Sequence, residues 1–261
     1  MSYNKISAHV KKFKENNFLN FINHQIRMNE LEQIFLILLE NYGYQGWFPL
    51  IEYNGTNPTK TGSIRGYHPG NYELPKTLDQ VYEISIGAIL TQNTSWTNVE
   101  KALLNLYQNK KLNYVEIHKI DIEKLKELIK PAGFYNQKAE RLKLFTTFFI
   151  QNLNRIDSIE REELLSLKGI GKETADTILL YALKKPFFVV DKYTQRFMAR
   201  LGFEFSNYEE LQNIFQNSLE KDYRIYNEYH ALIVEHAKRY CKKNPNCESC
   251  PLNKICKRKI L

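Results

Sequence analysis

Apolar residues recur along most of the chain at the three- and four-residue spacing of an amphipathic α-helix. Three stripes show this spacing most clearly: Leu31, Ile34, Phe35, Leu38 and Leu39; Trp96, Val99, Leu103 and Leu106; and Ile122, Leu125, Leu128 and Ile129. Further helices are predicted at about 139–150, 158–167, 173–184, 193–201, 208–219 and 226–240. The apolar segment 186–190 is short and isolated, so we expect an extended connector there and not a strand. The pattern leaves no sheet to assemble and predicts an all-α protein.

The helical pattern is broken between residues 43 and 77, where Gly, Asn, Pro and Thr dominate. A loop of that length in a compact domain is usually functional or mobile. The pattern predicts N-terminal helices and a loop over 1–77 that pack with 186–261, a helical unit over 78–185, and a C-terminal helical segment over 186–261. The first 25 residues predict an appended amphipathic helix.

Composition and charge exclude several classes of protein. Hydrophobic residues make up 43% of the 261 positions and charged residues 25%, which is typical of a chain with a core and not of a disordered tail. No apolar run approaches the roughly 18–20 residues of a membrane span, and the charged N-terminal segment lacks the apolar stretch of a secretory signal. We therefore expect a cytoplasmic protein, and a monomer. The net charge of +8 favours an acidic partner such as nucleic acid without establishing one.

The segment Leu167–Ala175 reads Leu-Lys-Gly-Ile-Gly-Lys-Glu-Thr-Ala and lies between two predicted helices. Gly169 and Gly171 permit positive φ and a close approach of the backbone to a ligand, while Ile170 anchors the turn in the core. The N–H groups at the start of the following helix point outward. Together with the helix dipole, they can hold a phosphate without any side-chain charge. An ordinary αα-hairpin with glycine caps is the alternative interpretation.

Asp191 follows an apolar run, Phe187-Phe-Val-Val190, and stands at the start of a predicted helix. Such a run is expected to be buried, which would place the carboxylate of Asp191 at the edge of the core. The simplest interpretation is an N-cap, a position that Asp often occupies. Capping is compatible with catalysis, because a fixed and ionised carboxylate can stabilise positive charge on a reacting sugar or activate a water molecule.

All four cysteines of the chain lie between Cys241 and Cys256, with Cys247 and Cys250 between them. A disulfide framework would distribute its cysteines along the chain, and a reducing cytoplasm would not maintain one. Structural zinc sites usually combine two pairs of cysteines, with two to four residues between the members of each pair, and only one such pair is present here. A single run of four cysteines therefore favours a cubic iron–sulfur cluster. Basic residues surround the run and favour contact with phosphate, although a solvated charged surface is the simpler alternative.

In order and spacing, the hairpin, the aspartate and the cysteine run resemble the endonuclease III branch of the helix-hairpin-helix DNA glycosylase superfamily, over roughly residues 29–261. The resemblance implies a six-helix barrel with the hairpin, a discontinuous second helical domain with a [4Fe-4S] cluster held by Cys241, Cys247, Cys250 and Cys256, and a DNA groove between them. It implies that double-stranded DNA is the partner and that Asp191 is catalytic. A damaged nucleotide would be flipped out of the duplex into the cleft, at a cost of a few kcal/mol.

The resemblance assigns further residues to DNA. Gln92 matches the glutamine that fills the gap left by the flipped base, and Phe134 matches an apolar wedge against the opposite strand. In the hairpin, DNA contacts are implied for Lys168, Gly169, Gly171, Lys172 and Thr174. Gln92 could instead be a buried polar cap, and Phe134 a core aromatic residue.

The chain departs from the family pattern at two places. Bifunctional members carry a lysine immediately before the Thr-Ala of the hairpin, and its amine forms a Schiff base that leads to strand cleavage. Glu173 occupies that position here, and because a carboxylate cannot form an imine, the lyase step should be missing. Lys172 is adjacent, but it is rotated by about 100° on a helix and more plausibly faces phosphate. The first cysteine spacing is also one residue shorter than is typical, so the helix end or the loop must adjust.

Within this branch the chain most resembles the monofunctional 3-methyladenine glycosylases, and the substrate is predicted from that resemblance. These also share an aromatic-Pro segment, here Trp47-Phe48-Pro49. Alkylated purines carry positive charge, and an aromatic face attracts a cation by about 0.5–2 kcal/mol. Trp47 and Phe48 are therefore candidates for the base pocket, with packing at a helix end as the alternative. The alternatives for the protein are a mismatch thymine or uracil glycosylase, an oxidised-pyrimidine glycosylase, a non-catalytic DNA-binding module, and a zinc-stabilised helical protein.

Overall fold

The computed structural model describes residues 29–60 and 65–258. Within these two ranges the regular structure is helical, apart from one isolated antiparallel bridge between Thr56 and Arg65, so the predicted all-α class is confirmed. The amphipathic helix expected over the first 25 residues lies outside the described residues. In the part of the chain that is described, none of the helices combines the length and the apolar character needed to cross a membrane.

The helices follow one another in the order predicted from the apolar stripes. Their bounds are α1 Glu30–Tyr42, α2 Leu78–Leu90, α3 Trp96–Gln108, α4 Tyr114–Lys119, α5 Ile122–Ile129, α6 Tyr135–Gln151, α7 Arg161–Leu165, α8 Lys172–Thr177, α9 Lys192–Leu201, α10 Tyr208–Ser218 and α11 Tyr223–Arg239. A π-helical turn, Ile178–Ala182, continues α8. The segment 186–190 contains no strand, as expected.

Three helices have bounds that differ from the prediction. The helix expected at 139–150 begins four residues earlier, at Tyr135, with Phe134 as its N-cap. The helix expected at 158–167 is only the five residues of α7, because a 3₁₀ segment, Leu153–Ser158, precedes it and Glu160 caps its start. The helix expected at 226–240 begins three residues earlier, where the side chain of Asp222 accepts a hydrogen bond from the N–H of Arg224. The short α4 was not predicted, since Ile117 is its single buried residue and one residue makes no stripe.

The first and last described helices pack together, so the N-terminal part of the chain joins its C-terminal part. The hydroxyl of Tyr229 in α11 donates to the carbonyl oxygen of Leu31 in α1 at 2.9 Å, and the rings of Phe35 and Tyr229 lie 5.1 Å apart. Both Tyr229 and Leu31 are buried. This contact brings the segment that follows α1 alongside α11.

The non-helical stretch between α1 and α2 is held by two buried glutamates. Glu228 of α11 accepts from the backbone N–H of Gln45 at 2.5 Å and from the hydroxyl of Tyr72 at 2.8 Å. Glu83 of α2 accepts from the N–H of Ile51 at 2.6 Å. Burial raises the pKa of each of these two carboxyl groups to about 7. The stretch is therefore attached to two helices by groups that are costly to ionise.

A buried ionic network supports the hairpin from behind. Asp176 of α8 is fully buried and pairs with Arg161 of α7 through two hydrogen bonds, of 2.6 and 2.9 Å. The carboxylate also accepts from the hydroxyl of Tyr208 at 2.7 Å and from the amide of Gln212 at 2.8 Å, both in α10. Because every bond converges on one side chain, Asp176 fixes the helices on either side of the hairpin relative to α10.

Candidate active site

The two glycines of the hairpin between α7 and α8 have different backbone conformations. Gly169 has φ of +88°, and a Cβ there would lie 2.3 Å from Nε of Arg141, so glycine is needed at this position. Gly171 has φ of −95°, and no atom lies within 4 Å of its missing Cβ. Both glycines permit positive φ, and of the two only Gly169 adopts it. Ile170 is 6% exposed and anchors the turn in the core as predicted.

The outer side of the hairpin presents backbone and basic side chains. Gly171 is the N-cap of α8, and no side chain caps the first turn of that helix. Lys168 is exposed. Lys172 is half exposed and pairs with Glu209 at 2.6 Å. Thr174 is buried, and its hydroxyl faces the interior of the protein, so its side chain does not lie on the outer surface.

Gln92 lies just after α2 and is held against the inner side of the hairpin. Its amide nitrogen donates to the carbonyl oxygen of Gly169 and to the hydroxyl of Thr174, each at 2.9 Å. Its amide oxygen accepts from the guanidinium of Arg141 in α6. The side chain is partly exposed, so Gln92 joins three elements at the edge of the cleft and is not a buried cap.

Phe134 is the most exposed of the large apolar side chains in the described ranges, at 64% of its surface. It is the N-cap of α6 with φ of +47°, and the alternative of a core aromatic residue is therefore excluded. Behind it, the buried Lys138 donates to the carbonyl oxygens of Leu90 and Ala132, both at 2.8 Å. Lys138 thus ties the turn that bears Phe134 to the end of α2, two residues before Gln92.

Asp191 is the N-cap of α9, as the sequence predicted. Its Oδ1 accepts from the backbone N–H of Thr194 at 2.7 Å and from the hydroxyl of Thr194 at 2.9 Å. The residues before it, Phe188–Val190, are buried and fix its backbone. Its other oxygen, Oδ2, takes no part in capping and lies 3.6 Å from Nε2 of His230 in α11. The side chain is 16% exposed, so the protein does not fully enclose this carboxylate.

The surroundings of Asp191 keep it ionised. Burial raises the pKa of Asp191, but the neighbouring imidazole of His230 and the two hydrogen bonds from Thr194 outweigh burial and lower that pKa below its ordinary value. The pKa of Glu173, which lies at the start of α8 and is exposed, shifts in the opposite direction to that of Asp191. Desolvation in the cleft, followed by the negative charge of Asp191, raises the pKa of Glu173. Two acidic groups therefore act on one another at this site, and their pKa values shift in opposite directions.

The two aromatic candidates have different surroundings. Trp47 is partly exposed, with its ring 5.7 Å from the ring of His230 and 5.8 Å from the ammonium nitrogen of Lys238. Phe48 is 6% exposed and packs 4.9 Å from the ring of Tyr181. Trp47 therefore lies beside the histidine that faces Asp191. Phe48 belongs to the core behind it, which is the packing alternative considered for this pair.

The four cysteines have free thiols and line a single cavity of about 270 Å³ beyond the end of α11. The shorter first spacing is taken up by the loop, because α11 ends at Arg239 and the N–H of Asn246 closes back onto the carbonyl oxygen of Tyr240 at 2.9 Å. Over the described ranges, no three His, Cys, Asp or Glu side chains converge as ligands of one ion. Four thiols spread around one cavity fit a polynuclear cluster better than a single zinc ion.

Comparisons with known proteins agree with this geometry. A family model described as the HhH-GPD superfamily of base excision DNA repair proteins matches residues 86–221. A Methanocaldococcus jannaschii protein, provisionally named a DNA repair glycosylase, is 45% identical over 235 residues, which are 86% of this chain and 94% of that protein. The chain belongs to the HhH-GPD superfamily. It is accordingly a DNA glycosylase of base excision repair, a hydrolase acting on N-glycosyl bonds.

Other relatives of this HhH-GPD protein have different named activities. Endonuclease III of Thermotoga maritima is 33% identical over 177 residues, 67% of this chain and 82% of that one. A crystal structure of a Helicobacter pylori 3-methyladenine DNA glycosylase bound to 1,N6-ethenoadenine has a TM-score of 0.55 at 34% identity, covering 64% of this chain and 91% of that one. A trapped endonuclease III–DNA intermediate has a TM-score of 0.67 at 21% identity over 88% of this chain and 97% of that one, and shows the shared fold.

The sequence did not reveal several residues of this HhH-GPD site. His230 and Tyr181 both lie within apolar stretches of helix, where a lone polar ring is usually a satisfied core residue. Lys138 and Arg141 lie on the predicted helix at 139–150 or next to it, without any motif. No local signal identifies them, because what distinguishes them is their contact with residues far away in the chain: Asp191, Leu90 and Gln92.

Proposed function

We propose that this protein is a monofunctional DNA glycosylase that hydrolyses the N-glycosidic bond of a flipped-out, alkylated purine such as 3-methyladenine. The observation that supports this proposal most is the state of Asp191. One of its oxygens is occupied by capping, the other takes no part in capping and lies 3.6 Å from Nε2 of His230, and its pKa is lowered by His230 and Thr194 against the effect of burial. A fixed carboxylate of this kind is suited to stabilising an oxocarbenium-like sugar.

The proposed reaction needs few groups. As the C1′–N bond breaks, the electron pair leaves with the base and positive charge develops on the sugar. The ionised Asp191 stabilises that charge, orients the water that adds to C1′ and accepts the proton that this water loses, giving an abasic site and the free base. With a carboxylate at Glu173 in place of an amine, no imine forms there, and the strand remains intact.

DNA is the proposed partner, held through three features of the described chain. The uncapped first turn of α8 offers backbone N–H groups to a phosphate, and the exposed Lys168 adds a charge. Phe134 is exposed at a rigid turn where it can enter a base stack, and Gln92 lies between that turn and the hairpin. We further propose that residues 78–185 form one side of the DNA groove and that 186–261, together with the N-terminal segment, form the other.

The preference for an alkylated purine rests on the wall beside Asp191. The ring of Trp47 can stack on a purine, and the two carboxylates of Asp191 and Glu173 favour a base that carries positive charge. The Helicobacter pylori relative, named a 3-methyladenine DNA glycosylase, supports this choice. Similarity to endonuclease III supports the second candidate, a glycosylase for oxidised or mispaired pyrimidines. Release of pyrimidines without release of alkylated purines would favour that candidate.

We also propose that Cys241, Cys247, Cys250 and Cys256 hold a [4Fe-4S] cluster. The four free thiols around one cavity fit such a group, and Arg200 lies 3.3 Å from the sulfur of Cys241, where a cation stabilises thiolate. The bound cluster would supply a rigid support for the basic C-terminal loop. Roughly four iron and four sulfide per chain are expected on analysis, whereas stoichiometric zinc would contradict the assignment. Cytoplasmic location and a monomeric state remain predictions.

The direct test is a panel of duplex oligonucleotides carrying 3-methyladenine, ethenoadenine, uracil or thymine opposite guanine, or an oxidised pyrimidine. The expected result is release of alkylated adenine, with strand breakage only after hot alkali. Breakage without alkali would contradict the monofunctional assignment. Binding without release of any base would indicate a non-catalytic DNA-binding module.

A further inference from the structure

His230 is the one titratable ring whose unpaired nitrogen faces Asp191 among the described residues. Its side chain is 6% exposed, and its Nε2 has no hydrogen-bond partner in the described structure except the approach of Asp191 Oδ2 at 3.6 Å. Its other nitrogen, Nδ1, lies 2.6 Å from the hydroxyl of Tyr181. The ring of Trp47 lies edge-on to the imidazole at 5.7 Å, so the histidine is enclosed on that side.

The proton positions follow from what each group can do. An ionised carboxylate only accepts hydrogen bonds, so the Nε2 that faces Asp191 must carry a hydrogen for the contact to be attractive. A neutral imidazole then has a bare Nδ1, which needs a donor. The hydroxyl of Tyr181 is that donor, because it lies within hydrogen-bond distance of Nδ1. The carbonyl oxygen of Asn227, at 3.2 Å, is the weaker alternative acceptor for the same hydroxyl.

We propose that His230 is a positioning residue for Asp191, with Tyr181 fixing the tautomer of the imidazole. In this arrangement the Nε2–H group holds Oδ2 of Asp191 while Thr194 holds Oδ1, so the carboxylate is fixed at both ends and kept ionised. The 3.6 Å separation of Nε2 and Oδ2 is an electrostatic contact, longer than a hydrogen bond. The inference rests on the proposed role of Asp191 in breaking the glycosidic bond.

Other charged groups also face this histidine and Asp191. Glu173 interacts with both of them from the start of α8, Lys192 lies next to Asp191 at the start of α9, and Lys238 follows two turns later on the helix of His230. Of these, Glu173 titrates in the same sense as Asp191. An effect of His230 on the pH dependence is therefore assigned to Asp191 only if it persists when Glu173 is replaced by Gln.

The test compares His230→Phe, His230→Gln and Tyr181→Phe with the natural protein, in single-turnover release of 3-methyladenine from duplex DNA at saturating enzyme. Loss of this polar contact with a charged group predicts a rate about ten- to a hundred-fold lower for His230→Phe. The acid limb of the pH–rate profile is expected to move to higher pH. His230→Gln places an amide N–H near the position of Nε2 and should recover most of the rate, and Tyr181→Phe should give a smaller loss in the same direction.

Two results would overturn the proposal. One is that His230→Phe and His230→Gln lose the same amount of rate, while the acid limb of the pH–rate profile stays in place and thermal unfolding is unchanged. The other is a movement of the limb that disappears when Glu173→Gln is added. The affinity for a duplex with a stable abasic analogue should stay the same in all variants, since His230 does not lie on the hairpin. If the natural protein releases no base from any duplex in the panel, the proposed function fails, and that outcome is distinct from a failure of the role of His230.

Discussion

Replacing Glu228 by Gln should stabilise the protein at neutral pH and above. The carboxyl group of Glu228 is 1% exposed, and it accepts from the N–H of Gln45 and the hydroxyl of Tyr72. Burial raises its pKa from 4.5 to about 7. Gln removes the charge and keeps one acceptor oxygen, which can replace Oε1 and accept from the N–H of Gln45. Its NH2 group replaces Oε2 and can donate to the hydroxyl oxygen of Tyr72, so the loop remains attached at both points.

The sign and size follow from the two pKa values. Below pH 4.5 Glu228 is protonated in the folded and unfolded chain, and it contributes nothing to the pH dependence of stability. Between pH 4.5 and about 7 the unfolded chain is ionised while the folded chain still holds its proton, so stability falls over this range, and above the folded pKa the loss is complete. At 1.36 kcal/mol for each pKa unit, the difference between the unfolded and folded pKa values corresponds to about 3 kcal/mol. The free energy of unfolding of Glu228→Gln, relative to the natural chain, should therefore rise by about 3 kcal/mol between pH 4.5 and pH 8.

Urea unfolding at several pH values measures this difference directly. Glu83, whose pKa is also about 7, titrates in both proteins and cancels from the comparison. Glu220→Gln is the matched control, because Glu220 is exposed and its replacement should give the same pH dependence as the natural chain. A flat difference across this pH range, or a Glu228→Gln protein less stable than the natural one at pH 8, would refute the reasoning.

Three further predictions concern the hairpin and the wedge. Arg161→Leu should lower the free energy of unfolding by about 3–5 kcal/mol in urea, because it leaves the buried Asp176 unpaired; little change would show that the network does not hold the hairpin. Gly169→Ala should weaken binding to duplex DNA in a fluorescence anisotropy titration, since it brings Cβ against Arg141, whereas Gly171→Ala should bind almost normally; equal losses would contradict this assignment. Phe134→Ala should change stability by no more than about 0.5 kcal/mol but slow base release from duplex DNA, and an unchanged rate would remove its role as a wedge.

The sequence was sufficient for the parts of this protein that depend on local pattern. Amphipathic stripes predicted most of the helices, and the apolar run before Asp191 predicted the N-cap of α9. The same reasoning missed α4, which has one buried residue, and it extended α7 beyond its five residues, because capping and the preceding 3₁₀ segment decided those bounds.

The surroundings of the site could not be predicted in this way. His230 faces Asp191 across 39 positions of sequence, and Lys138 reaches Leu90 across 48. Such contacts depend on how helices cross, which a periodic pattern does not specify. Lys172 illustrates the same limit, because its partner Glu209 lies on a different helix, α10. Gly171 shows that a glycine in a motif does not imply positive φ, since its φ is −95°.

The central claim is that the ionised carboxylate of Asp191 drives base release. Its most direct test is the single-turnover rate on a 3-methyladenine duplex for Asp191→Asn, with Asp222→Asn as the matched control, since both aspartates cap a helix. Asn caps as well as Asp, so both variants should remain folded. The account predicts a rate at least about 100-fold lower for Asp191→Asn alone, and an Asp191→Asn protein that releases the base at the natural rate would contradict it.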